Sequence, residues 1–419
     1  MKIVFPTIIL LFFSCIIPVF GINIDGSLTT MAWVRQEPVP RQGEDLYSYL
    51  YEYIRVSMAD IGDDSLSAYI YARVKKDVAN NGKPDWRAFS GYMNWSGPAD
   101  SSIRIGRQFL PNGLGFWRMD GVRAQFRSFK GVSHSIYAGL SVAPWAIENE
   151  RDGLVGLEID LSEIRRLRGG VNLFTNFDSE NFERIIIGGH LDSSDYSLFR
   201  LRRFIMYSKV NFDALAGELV QGSVTINLNL VEDLGIYTEY FHGKQLFPEE
   251  SIFSVFAADD RNEGSIGLRY SIAESISLGG RYGRHFSSSL PSNTYEIGLH
   301  RSIPYGTSFG VTVLGAEKSD AASRHSGAHF NIGRTITRKF SAMVSAYYND
   351  YRLRESQERD NVYSLQLDLS YRVIDQISAY LRLEDNVDAN GDSNFRLLAR
   401  VRLGFGHGRS TGGAGYGSR

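Results

Sequence analysis

"NFRLLARVRLGF", residues 394–405, alternates with a period of two. Phe395, Leu397, Ala399, Val401, Leu403 and Phe405 fall on one face, and Arg396, Arg400 and Arg402 on the other. This is the signature of a β-strand, because successive side chains of an extended chain point to opposite sides. Two environments satisfy it. Either the apolar face packs a protein core and the guanidinium groups meet bulk water, or the apolar face meets hydrocarbon and the guanidinium groups line something wet.

The alternation recurs along the chain. Val224, Ile226, Leu228 and Leu230 oppose Thr225, Asn227 and Asn229, and Ile266, Leu268, Tyr270 and Ile272 oppose Ser265, Gly267, Arg269 and Ser271. Tyr363, Leu365, Leu367, Leu369 and Tyr371 oppose Ser364, Gln366, Asp368, Ser370 and Arg372. Very short polar links within "SIAESISL", "SIPYGTSF", "TITRKFSA" and "VIDQISAY" read as hairpin turns. Longer polar stretches, such as "RHFSSSLPSNT" and "DYRLRESQERDN", lie between them. The first half follows the same rules less cleanly: "YLYEYIRVSM" sets Glu52 among apolar residues, and 205–223 yields no strand assignment. The expected total is an even number of strands between about 18 and 22, each about ten residues long, which is enough to cross a bilayer at a tilt.

Composition narrows the class. A chain of 419 residues with net charge -2 and 43% hydrophobic residues is neither disordered nor charged like a nucleic-acid binder. Lys2 precedes the apolar run "IVFPTIILLFFSCIIPVF", so residues 1–21 read as an export signal, with Pro6 and Pro18 arguing against a retained spanning helix. The only cysteine, Cys15, lies inside that run, so the chain beyond it can form neither a disulfide nor a cysteine metal site. Export, alternating short and long links, and Tyr and Phe near strand ends favour an all-β fold, a transmembrane antiparallel barrel over residues 22–405, above a soluble sandwich.

The stretch 394–405 resembles the terminal strand of Gram-negative outer-membrane proteins, which ends in an aromatic residue, here Phe405. The resemblance implies an outer-membrane location among lipid and lipopolysaccharide, insertion by the barrel-assembly machinery, and a monomer or homotrimer. The Gly-rich segment "GHGRSTGGAGYGSR", 406–419, extends beyond the point where that family usually stops and reads as a flexible tail.

If the apolar parity faces lipid, Arg73, Arg104, Arg123, Arg127, Arg269, Arg281, Arg372, Arg382, Arg396, Arg400 and Arg402 face the lumen, together with the acids Glu158, Asp160, Glu239, Glu296, Asp368 and Glu384. Such a lumen is net positive and favours anions. The competing reading has each arginine paired with an acid on a neighbouring strand, bracing the wall. The segment 103–129 adds Arg118 to the pore-lining candidates, within an aromatic link. Its "GRQ" at 106–108 followed by "DGVR" at 120–123 resembles alginate-export-like barrels and related porins. That resemblance implies a barrel wide enough for small anions or acidic saccharides, narrowed where the 110–119 link folds inward. Arg107 shares parity with Ile103 and Ile105, which points it to the membrane rim.

The functional expectation is a channel for small or anionic solutes; the alternative is a barrel with a structural, adhesion or receptor role carried by its extracellular loops. No catalytic set is read, since the histidines are scattered and no Ser, His and acid fall in register. "DNVDANGDSN" places its glycine too early for an EF-hand, so no metal, cofactor or nucleic-acid partner is expected. Deleting 406–419 is expected to leave assembly intact, read as an unchanged heat-modifiable band on gels; loss of that band would refute a dispensable tail.

Overall fold

The computed structural model describes residues 22–406 except 40–42, 63–64, 81, 111–117, 130, 143–151, 165, 178–181, 197–202, 244–260, 287–290, 304–305, 319–323, 353–359 and 389–390. The expected export signal and all of the tail after Gly406 lie outside the described residues.

Extended, alternating segments give 22 strands. The first eight are β1 (Asn23–Val39), β2 (Gly43–Ala59), β3 (Leu66–Asp77), β4 (Asp85–Ser96), β5 (Ser102–Phe109), β6 (Arg118–Phe129), β7 (Val132–Val142) and β8 (Gly153–Ile164). Next come β9 (Leu167–Phe177), β10 (Phe182–Tyr196), β11 (Arg203–Asp213), β12 (Glu218–Val231), β13 (Leu234–Gly243), β14 (Arg261–Ala273) and β15 (Ile276–His285). The last are β16 (Ser292–Arg301), β17 (Thr307–Lys318), β18 (Arg324–Thr337), β19 (Phe340–Arg352), β20 (Asp360–Ile374), β21 (Ile377–Val387) and β22 (Ser393–Phe405). Each strand pairs antiparallel with its chain neighbours, and β1 also pairs with β22, from Gly26 opposite Phe405 to Arg35 opposite Arg396. The sheet is therefore a closed barrel with no free edge.

Closure explains the last aromatic of the opening stretch. The Phe405 ring lies over Gly26, where an added Cβ would come within 2.5 Å of the ring and 2.4 Å of the Arg55 carbonyl oxygen. Only a glycine lets the seam strands approach this closely at the rim.

Links of two residues join β6–β7, β8–β9, β12–β13, β14–β15, β18–β19 and β20–β21 at one end of the barrel, where Asn23 and Phe405 also lie. Side chains hold these turns: the Thr337 hydroxyl accepts from the backbone N–H of Lys339 and of Phe340 at 3.2 and 3.1 Å. The opposite end carries the longer connections, among them 143–152 and 244–260. At β21–β22 the Asp388 carboxylate accepts from the Asp392 N–H at 2.9 Å, the Asp388 carbonyl from the Gly391 N–H at 3.0 Å, and Gly391 takes φ +83°.

The segment 205–223 forms the end of β11 and the start of β12, and the pattern breaks there for a local reason. Asn211 pairs with Gln221 but Phe212 with Leu219, so Val220 is an inserted residue that shifts the parity by one.

Register assigns every strand two faces. The outward face is apolar and open, with Ile297 at 64%, Leu365 at 58% and Val313 at 57% exposure. Polar side chains on the inward face are instead buried, including Asn211, Ser345, Asn172 and Gln366. This is a globular protein turned inside out, and it identifies hydrocarbon as the solvent of the outer surface. One inward apolar knot exists: Leu110, Met119, Tyr137, Leu154, Phe174 and Ile186 pack together near the long-link end. Leu110 opens the β5–β6 link, so that link starts inward; its residues 111–117 lie outside the described residues.

A cysteine placed at Leu397 is expected to react with a lipid-soluble maleimide, and one placed at Arg400 with a membrane-impermeant reagent, in a Cys15→Ser background. Equal or exchanged labelling would contradict the assignment of faces.

Candidate functional site on the inward wall

Three inward panels carry most of the arginines expected from sequence. The first spans β20 to β22. Arg382 Nε donates to Asp368 at 2.8 Å, and the same carboxylate accepts from the Tyr380 hydroxyl and from Gln366. Arg396 donates to Glu384 at 3.2 Å across the β21–β22 pair. Arg400 lies over the Tyr380 ring at 5.0 Å, and Arg402 stands between Ser378 and Thr29. Neither Arg400 nor Arg402 has an ion pair among the described residues, and both are exposed to the lumen.

The second panel lies on β5 to β8. Arg123 donates to the Ser135 hydroxyl at 3.0 Å and meets Glu158 at 3.4 Å, two strands away on β8. Arg104 sits directly opposite Arg123, over the Tyr92 ring at 4.3 Å. Arg127 pairs with Asp100 at the short-turn end.

The third panel is a recess of about 580 Å³ in the wall of β11 to β16. Arg269 is flanked on its two neighbouring strands by Gly235 and Gly279, and Gly298 continues the row. Missing side chains there make the hollow, which His300, Asn227 and Asn229 also line. Arg281 donates to Glu239 at 3.0 Å and to the Ser265 hydroxyl at 3.0 Å.

The arginines therefore fall into two groups. Arg123, Arg127, Arg281, Arg382 and Arg396 brace neighbouring strands through acids, while Arg104, Arg269, Arg400 and Arg402 do not pair with an acid among the described residues.

Arg118 stands apart. It shares parity with Asp120 and the exposed Val122, so its place on β6 is the outward face and not the lumen row. It is nonetheless buried at 2% exposure, with its guanidinium 5.9 Å from the Phe109 ring. In the "GRQ" and "DGVR" segments, Arg107 and Asp120 oppose each other and form a two-pronged ion pair at 2.8 and 2.7 Å, with a further bond from Arg107 to the Ala88 carbonyl at 3.1 Å. The pair lies on the outward face two residues from the long-link end of each strand, where it ties together the two ends of the 110–117 link. Gly106, Gly121 and Gly139 align across β5, β6 and β7 on the other face. Gly106 takes φ +124°, and a Cβ there would lie 2.3 Å from the Gly91 carbonyl oxygen.

Sequence reasoning missed several inward cations, among them Arg35, Arg55, Lys75, Arg87 and Lys209. On β2 the inward row is Tyr49, Tyr51, Tyr53 and Arg55, while Leu50, Glu52, Ile54 and Val56 face outward. Tyrosines on the wet side disguise the parity, and the signal that could have revealed it is Arg55 on the tyrosine face. Lys209 lies in the segment disrupted by the Val220 bulge and bonds to Gln221 at 2.8 Å. Several histidines are fixtures of the wall: His329 stacks on Tyr347 at 4.1 Å, and His325 bonds to Asn349 at 3.1 Å.

The closed fold and its two faces define a membrane-spanning β-barrel of the outer-membrane type. No family model matches the chain, and no curated protein matches it. Among solved structures, the translocation pore of the P pilus usher PapC aligns with TM-score 0.51 and 8% identity, over 91% of this chain and 99% of that one. OccK3 (OpdO) of Pseudomonas aeruginosa aligns with TM-score 0.46 and 9% identity, over 92% and 96% of the two chains. A BenF-like porin from Pseudomonas fluorescens Pf-5 gives TM-score 0.42 and 9% identity, over 92% and 98%. At these identities the usher likeness is one of fold alone.

Asp368→Asn is expected to weaken the Arg382, Tyr380 and Gln366 cluster and lower stability by about 1.5–3 kcal/mol, the usual worth of bonds to a charged group. Equilibrium unfolding of the detergent-solubilised barrel would measure it, and an unchanged midpoint would contradict it.

Proposed function

We propose that the protein is an outer-membrane channel for passive diffusion of small solutes, with a preference for anions. The observation that carries this reading is the set of lumen arginines left without acid partners among the described residues, Arg104, Arg269, Arg400 and Arg402, facing a wet interior. An inward guanidinium lowers the electrostatic cost for an anion and raises it for a cation, because the low-dielectric wall focuses its field into the lumen. The paired arginines contribute differently. Arg382 with Asp368 and Arg396 with Glu384 are nearly neutral units, so they stiffen the wall with little effect on selectivity.

Transport through such a barrel needs no chemistry from the protein, and the role we assign is non-enzymatic. We further propose that lipopolysaccharide surrounds the long-link end, that the barrel-assembly machinery inserts the chain, and that acidic saccharides are among the permitted solutes. The inward packing of Leu110 with Met119, Tyr137 and Phe174 supports a narrowing on the β5–β10 side.

In planar bilayers under a KCl gradient, the reversal potential is expected to have the sign of chloride preference. Replacing Arg400 and Arg402 together by Glu should move it toward cation preference. A cation-selective parent channel, or no conductance, would end this reading.

A further inference from the structure

A continuous chain of six aromatic rings runs along the inward face of β1 to β4. Trp33 stacks on Tyr49 with centroids 5.8 Å apart and planes at 23°. Tyr49 leads to Tyr51 at 6.2 Å and Tyr51 to Tyr53 at 6.3 Å. The chain then crosses to β3, from Tyr53 to Tyr71 at 6.3 Å, and to Phe89 of β4 at 5.0 Å. Register puts the first five rings on the lumen side, and the Phe89 bulge in β4 brings the sixth beside Tyr71. All six are partly exposed there.

Aromatic rings in outer-membrane barrels are expected where the outer surface meets the interface, since one end of the ring is apolar and the other tolerates water. These rings face the other way, among a lumen lining otherwise rich in Ser, Asn and Gly. They do not form a packed knot such as that around Phe174, because they follow one another along the wall with their contacts spaced at 5.0–6.3 Å. Cations reinforce the row from the same wall: Lys75 lies 4.1 Å from the Tyr49 centroid, and Arg73 lies 5.6 Å from Tyr51 and 5.7 Å from Phe89. The arrangement offers a strip of partly exposed rings with phenol hydroxyls, in which Lys75 lies over Tyr49, and Arg73, itself paired with Asp85, lies over Tyr51 and Phe89.

A solute that uses the whole strip needs flat apolar faces repeated along its length and polar groups around their edges. A linear chain of pyranose sugars has this form: its C–H faces lie on rings, and its hydroxyls reach phenols and cations at the sides. A single small planar acid would occupy one or two rings and leave the remaining steps without purpose. We propose that the inward face of β1 to β4 is a stacking track for linear oligosaccharides, an inference that rests on the channel reading above and adds a site to it.

Maltohexaose, which is uncharged, is the discriminating probe. Added to the full-length protein in planar bilayers, it should interrupt the KCl current with longer blocks than maltose gives. The double variant Tyr51→Ala, Tyr53→Ala should shorten those blocks by about tenfold while the barrel still folds, shown by its heat-modifiable band, and still conducts. Tyr51→Phe, Tyr53→Phe should retain most of the block. An open channel that maltohexaose leaves uninterrupted, or blocks that the double Ala variant does not shorten, would overturn the track while leaving the channel intact. Block by an oligogalacturonate but not by maltohexaose would also overturn it, because charge and not stacking would then hold the ligand. A barrel with no conductance would overturn the channel reading; the track is then judged by a fluorescence titration with maltohexaose, whose signal Trp33→Phe must remove and whose absence refutes it.

Discussion

Backbone hydrogen bonding in a medium without water governs this structure. Each unpaired N–H or C=O exposed to hydrocarbon costs several kcal/mol, so an open sheet edge cannot be tolerated. The pairing of β1 with β22 removes the two edges that twenty-one consecutive hairpin contacts would leave. Once the edges are gone, the period of two does the rest, sending Leu397 and Val401 to lipid and Arg396 and Arg400 to the lumen from the same strand. The charged interior follows from the same geometry, because a lone charge is stable on the inward parity, while an outward one needs a partner, as Arg107 has in Asp120 near the rim.

That constraint also separates arginines that brace the wall from those that keep their charge. Where an acid stands on an adjacent strand, as Asp368 does for Arg382, the charge is absorbed into the wall. Where glycines stand instead, as around Arg269, the guanidinium keeps its field and gains a hollow beside it. Neighbours across the ladder, more than the arginines themselves, decide which positive charges remain open to the lumen.

Most of the barrel was legible in the chain because lipid-facing strands advertise themselves by alternation. The terminal stretch, the β14 and β20 patterns and the turns at 274–275, 338–339 and 375–376 were read correctly, and the strand number fell at the upper end of the expected range. Illegibility had local causes. The Val220 insertion reverses parity within a few residues and hides Lys209. On β2, Tyr49, Tyr51 and Tyr53 look apolar yet face the lumen, so Arg55 and Lys75 escaped notice. The aromatic link suggests a pore position for Arg118, whereas its register relative to Asp120 sets it on the outward side.

The seam has a further consequence for how the molecule comes into being. Gly26 and Phe405 meet although nearly the whole chain separates them, so their contact has the greatest loop-closure cost of any strand pair in the barrel. Every other pairing joins strands adjacent in the chain; this one joins its first and last strands. The cylinder is thus fastened at one rim by the least local contact in the fold.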